Sequence, residues 1–112
     1  MKVTTEITKR AVIHRLSGRL DTATSPAAEK TIMQALSPEQ SRIVLDMREV
    51  AYVSSAGLRI VLLVAKQAKA AQGALALFGM QPGVREVFDI SGFSRILSIL
   101  PSEAEAIAQV AG

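Results

Sequence analysis

Residues 42–80 read RIVLDMREVAYVSSAGLRIVLLVAKQAKAAQGALALFGM, and their pattern decides the fold. Arg42 to Met47 holds an unbroken Ile-Val-Leu run, as expected of a strand covered on both faces. From Ala56 to Gln72 the apolar residues return at helical spacing. Leu58, Leu62, Ala65 and Ala68 form one stripe, widened by Ile60, Leu63 and Val64, while Arg59, Lys66 and Lys69 fall nearer water. Gly73 suits a helix stop. Ala74 to Met80 is again short and almost wholly apolar, so it reads as a second strand. Strand, helix and strand in this order require a parallel pair joined by a right-handed crossover. Arg48 to Val53 is expected to be a short loop leading into Ser54-Ser55-Ala56-Gly57.

Toward the N-terminus, Val3, Thr5 and Ile7 alternate with Lys2, Thr4 and Glu6, the period of a half-buried strand. Ala11 to Leu16 is rich in β-branched residues and suggests a hairpin partner across Thr8-Lys9-Arg10. Ser17 to Asp21 is expected to be a loop. Ser25-Pro26 opens a helix, with Ser25 as N-cap hydroxyl and proline at the first helical position, and Ala28, Ile32, Ala35 and Leu36 share one face. Toward the C-terminus, Pro82-Gly83 begins a short helical face of Val84, Val87 and Phe88 that stops at Gly92. Ile96 to Leu100 reads as a last strand. Ser102-Glu103-Ala104-Glu105 is a capping box before Ile107 and Val110. The fold class is therefore α/β, in the order β-β-α-β-α-β-α-β-α. The expected architecture is one domain over residues 1–112, with a mixed, mostly parallel sheet of four or five strands and short helices.

Composition narrows the chemistry. The 112 residues include no Cys and one His, so a thiolate nucleophile, a Cys-based zinc site and a multi-His metal site are all excluded. Thirteen Lys plus Arg exceed ten Asp plus Glu, for a net charge of +3. These charges are scattered, and Tyr52, Phe78, Phe88 and Phe93 have apolar rather than basic neighbours, which argues against nucleic acid as a partner. The N-terminus lacks the apolar run of a signal peptide, and Ile60 to Ala65 is too short to span a membrane. A cytoplasmic protein without membrane insertion is expected.

Ser54 and Ser55 lie at a strand-to-helix junction, where open α/β sheets collect their ligands and partners. A hydroxyl there meets free backbone N–H groups and the positive end of the helix dipole, and Gly57 permits close backbone approach. Either serine could equally be a plain N-cap worth about 1 kcal/mol, and spacing alone favours that reading. A nucleophile elbow would need glycine where Val53 stands, and its base would have to be His14, in mid-strand. No phosphate-binding Gly-x-x-x-x-Gly-Lys occurs. Asp46 is expected to bond backbone N–H groups near the following turn, and Asp21 to shape its own turn. No cofactor or metal is implied, and the chain is not expected to be an enzyme.

Leu45-Asp46-Met47-Arg48-Glu49-Val50-Ala51-Tyr52-Val53-Ser54-Ser55-Ala56-Gly57-Leu58 resembles the signature of the STAS domain, and Gly18-Arg19-Leu20-Asp21 resembles its Gly-x-Leu-Asp loop. The likeness spans essentially the whole chain and is nearest the stand-alone bacterial anti-sigma factor antagonists. It implies partner switching. The unmodified protein would bind an anti-sigma factor that is also a serine kinase of the histidine-kinase-like ATPase type. Phosphorylation would release it, and a PP2C-type phosphatase would restore it. By the same resemblance the acceptor is Ser55, with Ser54 as alternative because it stands where many relatives carry Asp. The partner surface would comprise Asp21, Ser54, Ser55, Ala56, Gly57, Leu58 and Arg59. A second class of function implied by the family is a non-switching subunit of a membrane-associated assembly, such as a lipid-transporting ABC system. The exposed cations Arg59, Lys66 and Lys69 would then face an acidic partner or plain solvent.

Overall fold

The computed structural model describes residues 1–111. Five strands form one sheet in the order β1-β2-β3-β4-β5: β1 (Lys2–Ile7), β2 (Val12–Leu20), β3 (Arg42–Val53), β4 (Ala74–Phe78) and β5 (Ser98–Leu100). β1 runs antiparallel to β2, and every other pair is parallel. The four helices are α1 (Ser25–Gln34), α2 (Ser55–Ala70), α3 (Pro82–Ser91) and α4 (Glu103–Ala111), with one 3₁₀ turn at Phe93–Arg95. The sheet is mixed and mostly parallel, in the expected element order.

Apolar residues divide between the two sheet faces. Ile43, Leu45, Met47, Val50 and Val53 of β3 join Leu16 and Leu20 of β2 beneath α1, α2 and α3. Ile13, Val44, Ala76 and Phe78 point the other way and meet Ala106 and Val110 of α4. β3 and β4 are apolar on both sides because both sides are covered. On α2 the buried residues are Gly57, Leu58, Val61, Val64 and Ala68. The expected stripe thus shifts: Leu62 and Ala65 are only half-buried, while Arg59, Lys66 and Lys69 are exposed as read.

Two expected loops are strands. Residues 48–53 continue β3 and residues 17–20 continue β2. The β2–β3 register shifts between Arg15 and Ser17 and again between Gly18 and Arg19, so this stretch loses regular alternation. Its buried positions, Val50 and Val53, are three apart rather than two. Three boundaries also move. Thr24, not Ser25, is the N-cap of α1. β4 ends at Phe78, before Gly79 at φ +76. Ile96 precedes β5 and is exposed, since the chain turns through the 3₁₀ segment first. Half of the expected capping box forms: Ser102 Oγ accepts the Glu105 N–H at 3.2 Å, while the Glu105 carboxylate accepts from the Ser102 hydroxyl at 3.1 Å rather than from its backbone N–H.

Candidate functional site

β2 and β3 end side by side, with Leu20 in register with Val53. Beyond those ends lie the Asp21 turn and the start of α2. The Ser54 N–H donates to the Leu20 carbonyl at 2.9 Å, tying the two strand ends together. Ser54 is extended (φ −89°, ψ 176°), and its Oγ accepts the Gly57 N–H at 3.2 Å. Ser54 is therefore the cap of α2. Ser55 occupies the first helical position and is exposed, and among the described residues no hydrogen bond engages its hydroxyl.

The Asp21 turn is rigid by its own bonds. Asp21 Oδ1 accepts the N–H groups of Ala23 and Thr24, both at 3.1 Å. Thr24 Oγ1 accepts the Asp21 N–H at 2.9 Å and donates to the Arg19 carbonyl at 2.7 Å. The Thr24 N–H, helped by the Thr24 hydroxyl, the Ala23 N–H and the Arg19 charge, holds the Asp21 carboxyl below its ordinary range despite some desolvation. Asp21 thus shapes its turn, as expected, and stays ionised beside the α2 start.

Gly57 shows why this junction is tight. A Cβ there would lie 2.6 Å from the Leu20 carbonyl oxygen and 2.9 Å from Leu20 Cγ. Of the residues expected on the partner surface, Asp21 and Ser54 are half-buried, Ala56 likewise, and Ser55 and Arg59 are exposed. Gly57 and Leu58, also expected there, are buried and face the core instead. Sequence reasoning passed over Arg19 and Tyr52. Tyr52 is 41% exposed, and the Arg19 guanidinium sits 4.2 Å from its ring centroid, at the same end of the sheet. Their pairing depends on the shifted register of β2 against β3, which no local motif signals.

The remaining candidates lie elsewhere. His14 is fully buried in register with Leu45, eight residues before Val53, which at strand rise is roughly 25 Å from the Ser55 end. It cannot serve Ser55 as a base. Asp46 accepts the Arg48 N–H at 3.1 Å, as expected, but also takes guanidinium bonds from Arg48 and Arg15 at 2.8 and 3.0 Å. Burial pushes its carboxyl up, yet Arg48 and Arg15 outweigh that and hold it below the usual range. Among the described residues no cluster of metal-ligating side chains occurs, and no helix is long and apolar enough to cross a membrane.

Residues 2–106 match the STAS domain. The chain belongs to this family. It is 41% identical over 108 residues to BtrV of Bordetella bronchiseptica, named as a candidate anti-sigma factor antagonist, covering 96% of this chain and 93% of that protein. The fold is similar to the crystal structure of an anti-sigma factor antagonist from Mycobacterium paratuberculosis, with TM-score 0.88 at 20% identity over 99% and 94% of the two chains. It is also similar to the Bacillus cell fate determinant SpoIIAA in its phosphorylated form. That match has TM-score 0.71 at 25% identity, over 96% of this chain and 98% of that one. The STAS resemblance of the two sequence segments thus holds over nearly the whole chain.

Proposed function

We propose that this STAS protein is an anti-sigma factor antagonist switched by phosphorylation at Ser55. The observation that carries the reading is the division of labour between the two serines. Ser54 is committed to the cap of α2, which leaves the exposed Ser55 hydroxyl free to be presented to a kinase. The naming of BtrV supports the partner class, an anti-sigma factor, and SpoIIAA has been solved phosphorylated. In this reading the anti-sigma factor is itself the serine kinase, of the histidine-kinase-like ATPase type, and a PP2C-type phosphatase reverses the step.

Magnitudes set the direction of the switch. A phosphate adds a charge of about −1.5 to −2. In the free protein the α2 dipole and open N–H groups favour it by about 0.3–2 kcal/mol. Inside an interface, an anion without a partner costs about 3–5 kcal/mol. The interface cost wins, and each 1.4 kcal/mol is a tenfold loss of affinity. Phosphorylation therefore releases the partner.

The test is incubation with the cognate anti-sigma kinase and ATP, with the product mapped by mass spectrometry. Wild type and Ser54→Ala are expected to be modified at residue 55, and Ser55→Ala not at all. Ser54→Ala should also lose about 1 kcal/mol of stability with its cap, whereas Ser55→Ala should not. Modification of Ser54 alone, or kinase binding unchanged by Ser55→Asp, would defeat the reading.

A further inference from the structure

β1 is the outer edge of the sheet and, among the described residues, pairs only with β2. Its six residues keep an unbroken register, without a bulge or a proline, and five of them are exposed. The opposite edge, β5, has only three residues. A long, regular edge presents alternate backbone N–H and C=O groups to any further strand, and proteins ordinarily blunt such edges. Here two large apolar side chains also stand at its ends, Met1 at 36% and Ile7 at 58% exposure.

We propose that β1 is a self-association edge, where a second copy of this chain pairs antiparallel about a two-fold axis through Thr4. That axis sets Lys2 opposite Glu6 of the other copy, Val3 opposite Thr5, and Met1 opposite Ile7, each contact occurring twice, as an isologous interface demands. Opposite charges meet on one face of the sheet; on the other Met1 meets Ile7, and Val3 meets Thr5. Shifting the register by two residues in either direction leaves Lys2 facing a threonine, Thr4 or Thr8, and Glu6 with no cation opposite it. The strand is thus self-complementary in one alignment.

The surroundings fit that alignment. A groove of about 260 Å³ runs beside β1 under α1, lined by Met1, Val3, Ala27, Ala28 and Thr31. Opposite Met1, the incoming Ile7 would fill it. On the other face Glu6 accepts from Arg15 Nη2 at 2.8 Å through Oε1, and a carboxylate has capacity left for a lysine. Because all strands of the second copy run opposite to their counterparts, the two α2 starts point away from each other. The interface therefore neither uses nor covers Ser55.

The test is sedimentation of the full chain, tagged at its C-terminus, across a wide concentration series. Reversible dimerisation is expected. Lys2→Glu and Glu6→Lys should each weaken it about tenfold, since each turns two attractive pairs repulsive. Mixed together, the two variants should form a heterodimer as tight as the wild-type dimer. The new carboxylate of one then faces the new ammonium of the other, and the unaltered Glu6 of the first faces the unaltered Lys2 of the second. That rescue separates the edge from any general loss of folding. A wild type that stays monomeric throughout, reversal variants that associate like wild type, or a mixture no tighter than its components would each overturn the proposal. None of these outcomes bears on phosphorylation of Ser55.

Discussion

His14 is buried on the α1–α2 side of β2, and its Nδ1 lies 2.9 Å from Thr5 Oγ1 while Nε2 has no partner among the described residues. A ring nitrogen without an acceptor cannot cheaply take a proton in an apolar core. Burial accordingly pushes the His14 pKa from 6.5 down to about 4. Between those values the unfolded chain binds a proton that the folded chain refuses, so stability is complete above pH 6.5 and falls as pH drops toward 4. The loss reaches about 3 kcal/mol at most, and Asp46, whose pKa lies below its ordinary 3.8, contributes only under more acidic conditions. Urea unfolding at neutral pH and near pH 4.5 should show this drop, and His14→Leu should flatten it. A midpoint independent of pH over that range would exclude a neutral, buried His14. His14, which its mid-strand position already set aside as a base, is an acid-labile core residue.

At the scale of elements, the α2 start meets the end of β2 at a close backbone approach. Gly57→Ala would force its methyl against the Leu20 carbonyl, the same oxygen that accepts the Ser54 N–H. The expected cost is about 1–3 kcal/mol. Gly83→Ala in α3 meets nothing within 4 Å and should stabilise by about 0.5–1 kcal/mol through helix propensity. Thermal midpoints moving in opposite directions would confirm the contrast, at about 4–8 °C per kcal/mol for a domain near this size. Equal small shifts would mean that α2 can recede without cost. The same junction shows what was legible in the sequence. Arg42 to Met47 and Ala74 to Phe78 are readable because both faces are covered and each is almost wholly apolar. That a serine caps α2 and that Asp21 shapes its own turn is readable because the partners lie within three residues. Residues 17–20 and 48–53 were not readable as strands, because the shifted register breaks the two-residue alternation on which strand recognition rests. The choice between Ser54 and Ser55 was not readable either, since cap position is a matter of backbone angles.

For the molecule as a whole, the least legible feature is the way α4 closes the second face of the sheet. Its apolar contact is modest, Ala106 and Val110 against Ile13, Val44, Ala76 and Phe78. Charged pins reinforce both ends. Arg15 donates from Nη1 to Glu103 of α4 at 2.6 Å and to Asp46 of β3 at 3.0 Å, and from Nη2 to Glu6 of β1 at 2.8 Å. Arg42 Nη1 donates to the Val110 and Ala111 carbonyls at the other end, at 3.2 and 2.8 Å. Partners 31 and 88 residues away from Arg15 leave no mark in any local motif. Glu103 first, and then Glu6, raise the Arg15 affinity for its proton, so the hub stays charged at any ordinary pH. Burial ranks its three spokes. The Asp46 side chain is 7% exposed, against 36% for Glu103 and 57% for Glu6. Glu6→Gln and Glu103→Gln should therefore cost no more than about 1 kcal/mol, as exposed pairs do. Arg15→Met leaves Asp46 with Arg48 alone and should cost about 1–3 kcal/mol. Part of that loss should be local. Amide hydrogen exchange in α4 should accelerate beyond the global change, while β3 and β4, packed on both faces, should follow global unfolding. Uniform acceleration of α4 and the central strands would show that α4 is held by its apolar face alone and that the Arg15 hub contributes nothing to closing the sheet.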